Sequence, residues 1–291
     1  MFNPFTSPII KKDLKVISRS MKFSWGLFAY EAVLMIVFLM SLSIMNLSSS
    51  YGQGVLSNVD VYNGYIYFFP AVGITELVII ALIVPIITAS SISGERERKT
   101  MDVLLTTTIS APAIILGKIG SAVIRVMMFV IASLPLLSLS FLVGGLSWIT
   151  LFIYILLAFL FACFAGSVGI FASSICKKSI TAIILAYVIY LVIYGIPFVI
   201  WLLEYMININ RTSYYLAPLA LTINPVFSFI VFFVGDMSNY HLLEEIFNPS
   251  KGFWSFLLSD GIYLTISQLT QLGLTVIFVI LASLRIKPGK K

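Results

Sequence analysis

The sequence predicts an all-α polytopic membrane protein with six transmembrane helices, and three observations carry that prediction. Of its 291 residues, 60% are hydrophobic and only 10% are charged. Mean hydropathy is +1.06, far above the range of an ordinary soluble domain. Uncharged runs long enough to cross a bilayer, at about 20 residues each, alternate with short polar or charged segments. Within lipid a helix satisfies its own backbone, whereas an open sheet cannot.

Taken in order, residues 1–23 contain Pro8, which can start a helix, and Ile10, Leu14, Ile17 and Met21 then recur at helical spacing among Lys11, Lys12, Lys15, Arg19 and Lys22. That pattern predicts an amphipathic helix lying in the headgroup region. Spans 1 to 5 are expected within 24–203: Trp25–Leu47, Tyr65–Ser90, Ile119–Leu142, Trp148–Ile175 and Ile180–Leu203. The first run is too long for the apolar core of a signal peptide, so it is read as a span. Residues 204–262 form an outer loop, 263–284 the sixth span, and 285–291 a basic tail. Ala217–Val234 is apolar but interrupted by Pro218, Asn224 and Pro225, and it is read as a re-entrant or interfacial element. A seventh span there would strand the basic tail outside. With six spans and the N-terminus inside, only Arg211 and Lys251 of the 18 Lys and Arg residues fall outside, as the positive-inside bias requires. Both termini are then cytoplasmic. No internal repeat or soluble domain is visible, and 1–291 is read as a single transmembrane domain.

The net charge of +6 is scattered between apolar spans instead of gathered in a patch, which argues for topology and against nucleic acid. No glycine-rich turn ends in Lys-Ser/Thr to wrap phosphates, so the chain is not expected to hydrolyse ATP. His241 is the only histidine, which removes every two-histidine metal motif. Cys163 and Cys176 are expected to be isolated thiols.

Charge is densest in the first cytoplasmic loop, 91–118, where Glu95, Arg96, Glu97, Arg98 and Lys99 follow one another. Acidic residues contribute little to orientation, so topology alone does not explain Glu95 and Glu97. Met101, Leu104 and Leu105 offer apolar anchors beyond Thr100, and Asp102 suits the start of a short helix. This stretch, from Gly94 to Thr100 through Leu104-Leu105-Thr106-Thr107 to Gly117-Lys118, resembles the loop of type-2 ABC transporter permeases. Those are membrane subunits of bacterial ATP-driven exporters, with the fold of G-type ABC transporters. The resemblance covers nearly the whole chain. It departs at Lys99, where the family usually has Gly, at Thr108, where it has Pro, and at Ala111, Pro112 and Ala113, where charged residues are frequent.

The resemblance implies that the loop forms a coupling helix in a groove of a separate ATPase subunit. That partner would hold ATP and Mg2+, while this chain binds no cofactor. It also implies a second permease subunit, identical or related, and a bacterial cytoplasmic membrane. Glu95 to Lys99 would guide docking, and Met101 to Leu105 would sit in the groove. A membrane scaffold that binds an ATPase without moving cargo is the main rival reading. A channel or secondary transporter is the third.

Ionisable residues inside spans each need a reason. Glu31 and Arg125 stand at matching depth, roughly 10–14 Å from the cytoplasmic ends at about 1.5 Å per residue, and are expected to form a structural ion pair. Glu76 lies in the outer half of span 2 with no basic residue at its depth. It either takes a hydrogen bond from a neighbouring Tyr or Ser, or faces a wet path and touches cargo. Tyr187, Tyr190, Tyr194 and Trp201 share one face of span 5. They are read as packing aromatics or, since the resemblance implies that spans 2 and 5 line a central cavity, as wall residues of a translocation path with Glu76.

Overall fold

Among the residues that the computed structural model describes, eight helices follow one another: α1 (Met21–Tyr51), α2 (Phe68–Glu97), α3 (Ala111–Gly144), α4 (Trp148–Ile175), α5 (Ser179–Ile207), α6 (Leu216–Leu221), α7 (Pro225–Ser238) and α8 (Asp260–Arg285). The structure describes residues 20–51, 68–99, 111–144, 147–207, 216–238, Leu243, Phe247 and 256–285, and among them there is no strand. Among these described residues six helices are long and apolar enough to cross a membrane, in agreement with the all-α polytopic expectation. The predicted amphipathic helix and the basic tail lie, for the most part, outside the described residues.

Most of the long helices outrun the predicted spans, whereas α4 coincides with its span and α2 outruns it only at the C-terminal end. At about 1.5 Å per residue, the 30 residues of α2 reach about 45 Å, against a hydrocarbon core of about 30 Å. The last turns of α2, with the charged residues to Glu97, therefore stand beyond the hydrocarbon. Lys99 stops the helix with a left-handed backbone, φ 56°, the usual C-terminal device of glycine.

Side-chain distribution is that of a protein solvated by lipid. On α5, Ile180, Ile184, Val188 and Leu191 form an exposed apolar stripe, whereas Ala182, Ala186, Tyr190 and Pro197 are buried. Small residues turn inward because helices in lipid gain from close approach and not from hiding apolar surface.

The residues fall into two compact units. One comprises Met1–Ile83 and Gly120–Ala162, the other Val84–Ile119 and Cys163–Lys291. In the first, aromatic rings join the helices edge to face: Phe23 and Tyr30 on Phe129, and Phe69 on Tyr154. In the second, α2 and α4 cross closely. A Cβ added to Gly169 would strike the Thr88 hydroxyl and lie 3.0 Å from Thr88 Cβ and 3.2 Å from the Ala89 backbone nitrogen. The absence of a side chain at position 169 sets that separation.

Between α5 and α8, α6 and α7 form a helical hairpin. Glu204, near the end of α5, accepts the backbone N–H groups of Leu216 at 3.2 Å and Ala217 at 2.5 Å, capping α6. The chain then turns at 222–224. There Asn224 Nδ2 donates to the Tyr194 carbonyl at 3.3 Å, and Asn224 Oδ1 caps α7 through the Val226 N–H at 3.0 Å. Tyr194 lies about 15 Å along α5 from Glu204, so the tip dips well back beside the helix. Backbone at such depth needs partners. Ser267 and Thr270 of α8 both donate to the Thr222 carbonyl at 2.9 Å, and Tyr263 donates to that of Pro218 at 3.0 Å. Pro225 at the first position of α7 has no N–H to satisfy.

Candidate functional site

Three consecutive side chains at the end of α2 go to three different helix ends, because successive residues on a helix point about 100° apart. Glu95 meets Lys118, near the start of α3, at 2.7 Å. The same ammonium donates to the Ser91 carbonyl at 2.8 Å, and the Lys118 side chain is only 11% exposed. Arg96 donates to the carbonyls of Ser174 at 2.9 Å and Cys176 at 3.2 Å. These belong to the C-terminal end of α4, where the helix dipole favours a cation. Glu97 accepts from Ser179 Oγ at 2.6 Å at the N-terminus of α5, where the dipole favours an anion. The Ser179 hydrogen bonds, with Lys178 and Arg98 nearby, hold the Glu97 carboxyl below its ordinary range.

Above this turn, Ser173 Oγ of α4 accepts the Ile92 and Ser93 N–H groups at 3.1 and 2.9 Å. Arg98 and Lys99 are exposed. Thr100, Met101, Asp102, Leu104 and Leu105 lie outside the described residues. Of the sequence-predicted loop residues, then, Glu95, Arg96 and Glu97 are engaged within the chain, and Arg98 and Lys99 point outward.

Glu76 is wholly buried in a cage of hydroxyls drawn from three other helices. Tyr30 of α1 donates to Oε1 at 2.5 Å, Ser133 of α3 to Oε1 at 3.0 Å, and Tyr154 of α4 to Oε2 at 2.7 Å. Of the two expectations for Glu76, the hydrogen-bonded one matches this geometry. A carboxylate enclosed on all sides within one unit has no open face toward cargo in this structure.

The expected Glu31–Arg125 ion pair does not form. Among the described residues the salt bridge is Lys118–Glu95, and Glu31 Oε1 is buried without a hydrogen bond. Matching depth fixed the level of the two residues but not the faces on which they stand, and Tyr30, one residue before Glu31, turns toward α2 instead.

The tyrosine stripe of α5 is partly closed. Tyr190 is buried against Phe164, and its ring stacks on Tyr194 with centroids 5.3 Å apart and planes 7° from parallel. The hydroxyls of Tyr190 and Tyr194 are buried without hydrogen-bond partners, and Tyr187 is half-buried. Trp201 packs against the cluster of Leu221, Val231 and Tyr263. Cys163 and Cys176 are free thiols.

Sequence reasoning missed Tyr30, Ser133 and Tyr154 as the partners of Glu76, and Ser173, Ser174 and Ser179 as anchors for α2. Hydroxyl residues are common in these spans, and nothing in their spacing marks which ones converge. Lys118 was visible in the loop motif, but not its bond to Glu95.

A family model described as ABC-2 family transporter protein matches residues 7–287. Among curated proteins none matches the chain. A match over nearly the whole length, on a chain whose described residues include six helices long and apolar enough to cross a membrane and a charged turn after the second, identifies this multi-pass membrane protein as a member of the ABC-2 transporter family, a permease subunit of an ABC transporter.

Proposed function

We propose that this chain is the transmembrane subunit of an ATP-driven exporter, coupled to a separate ATPase subunit through the loop 91–118. The observation that carries the reading is the end of α2. It projects beyond the hydrocarbon, is fixed to neighbouring helix ends, and presents Arg98 and Lys99 outward at the start of the segment containing Met101, Leu104 and Leu105. In this reading Glu95, Arg96 and Glu97 position the loop. Arg98, Lys99, Thr100, Met101, Asp102, Leu104 and Leu105 meet the ATPase, which holds ATP and Mg2+.

Two permease subunits, identical or related, pair in a bacterial cytoplasmic membrane with their termini inside. Closure of the ATPases on nucleotide then shifts the pair between inward- and outward-open populations. Tyr187 and Tyr194 of α5 are the wall residues to test first. Glu76 and Tyr190, enclosed within the subunit, support the helices that form the wall.

Co-purification tests the coupling. Leu104→Ala with Leu105→Ala should release the ATPase that accompanies the wild-type chain, and equal retention by both proteins would refute the assignment. Transport substrates that stimulate ATP hydrolysis in the reconstituted assembly would exclude a scaffold that moves nothing.

A further inference from the structure

We infer that the last turn of α2 is a three-way clasp, with Lys118 as its positioning residue, that makes the ends of α2, α3, α4 and α5 move together when the loop beyond Arg98 is pushed. The inference deepens the coupling reading above and rests on it for the origin of the push.

An isolated helix end frays, and a force applied to it dissipates in local unwinding. This end has no such freedom. Glu95 is tied to α3 through Lys118, Arg96 to the terminal carbonyls of α4, and Glu97 to the first residue of α5. Each tie has an ionised partner, and such hydrogen bonds are shorter and roughly twice as strong as neutral ones. Two of them also respect helix polarity, with a cation at the C-terminus of α4 and an anion at the N-terminus of α5.

Lys118 contributes most to the closure. Its ammonium holds both the Ser91 carbonyl and the Glu95 carboxylate, so it draws together the two helices that bracket the loop. Its side chain is nearly excluded from solvent, which limits screening. The Ser173 hydroxyl, on two α2 amides, fixes α4 one turn higher. Lys99 then ends the helix in a left-handed turn, which sets the direction in which the loop departs.

Two of the three branches can be cut separately, and that makes the arrangement testable. Lys118→Met cuts the branch to α3, and Arg96→Met cuts the branch to α4. Lys118→Arg keeps charge and donors. The readout is backbone hydrogen exchange on the full chain in lipid nanodiscs, first alone and then with the co-purified ATPase trapped by ATP and vanadate. In the chain alone, Lys118→Met should speed exchange at Ile115–Ile119 and Ser93–Glu97 on the order of tenfold or more, the loss of two charge-assisted hydrogen bonds, with Lys118→Arg close to wild type. In the complex, Lys118→Met should keep the ATPase but lose the nucleotide-dependent change at Ile115–Ile119 and retain it at Ser173–Cys176. Arg96→Met should show the reverse.

Unchanged exchange in the Lys118→Met chain would overturn the clasp. So would uniform loosening of every helix, which would make Lys118 a stability residue only, or loss of both branches in either variant. If no ATPase accompanies even the wild-type chain, the coupling reading fails, and the exchange arm on the chain alone still decides whether the clasp exists.

Discussion

Replacing Glu76 tests whether a buried carboxyl in lipid is held by hydroxyls alone. In Glu76→Leu every acceptor is lost, but the three donors are not equally harmed. Ser133 Oγ still has the Val130 carbonyl at 2.9 Å, and Tyr154 Oη keeps a long contact to the Gly73 carbonyl at 3.4 Å. Tyr30 Oη loses its short bond to Glu76 and keeps only the Ser133 hydroxyl beside it. A buried polar group left unsatisfied costs about 1–3 kcal/mol, and weakening of Tyr154 adds about 1 kcal/mol. Glu76→Leu should therefore destabilise by about 2–4 kcal/mol. Glu76→Gln keeps a carbonyl oxygen for Tyr30 and Ser133 and turns its NH2 to Tyr154, which can accept while donating to Gly73. That change should cost less than about 1 kcal/mol. The decisive variant is Tyr30→Phe combined with Glu76→Leu, which removes the worst orphan together with its partner. It should be more stable than Glu76→Leu alone, since deleting both partners of a buried bond can be nearly neutral. Reversible unfolding in mixed micelles, followed by tryptophan fluorescence, supplies the four free energies of the cycle. If Glu76→Gln is as damaging as Glu76→Leu, or if the double variant equals the sum of the singles, the cage is not what holds Glu76.

Four further outcomes follow from single contacts. Lys99→Gly should raise stability by about 1 kcal/mol, because φ 56° is costly for any residue with a Cβ; an unchanged melting temperature would count against that backbone. Gly169→Ala should cost about 1–3 kcal/mol by forcing α2 and α4 apart, whereas Gly166→Ala, whose nearest neighbour would be 3.4 Å away, should be tolerated, and melting curves of the pair decide. Asn224→Ala should cost about 1–2 kcal/mol through the lost α7 cap and increase proteolysis at the hairpin tip. The Glu97 carboxyl is depressed below its ordinary 4.5 by Ser179. The stability it contributes is present above that value and is lost as pH falls through the lower folded-state value. Ser179→Ala should move the carboxyl titration, followed by NMR, back toward 4.5.

The six spans were legible because lipid imposes a coarse rule: apolar runs of sufficient length cross. Their ends were not. Whether α2 stops at Ser90 or runs to Glu97 depends on Lys118, Ser174 and Ser179, which are distant in sequence and visible only once the helices are assembled. The interruption at Pro218, Asn224 and Pro225 coincides with the place where the chain turns, because proline and asparagine fit a turn and a cap. Its depth was not legible, since it is set by hydroxyls on α8. Glu31 and Arg125 show the limit of depth arguments, which give a level along the helix axis and no direction around it. Lys99 shows the opposite case. The family's glycine at that position makes physical sense once the backbone there is seen to be left-handed.

Glu76 and Glu95, on one helix, are held by different chemistries, and the surrounding solvent accounts for the difference. Within the hydrocarbon an ion pair would bring a second charge that must itself be desolvated. Three hydroxyls satisfy the carboxyl oxygens without that added cost, and all three side chains are compatible with an apolar span. Beyond the hydrocarbon edge a Lys–Glu pair is affordable, because its exposed side stays hydrated. A nearly enclosed lysine such as Lys118 then gains two oxygen partners for one ammonium. Exchanging the two solutions should therefore fail in both directions. A lysine placed at Ser133 to pair with Glu76 should impair membrane insertion, read by the yield of folded protein. A Lys118→Tyr variant, offering one hydroxyl to Glu95 in place of an ammonium, should loosen the start of α3 even though it remains hydrogen-bonding. Normal insertion of the first and wild-type exchange in the second would show that partner type at these two positions is not governed by the local solvent.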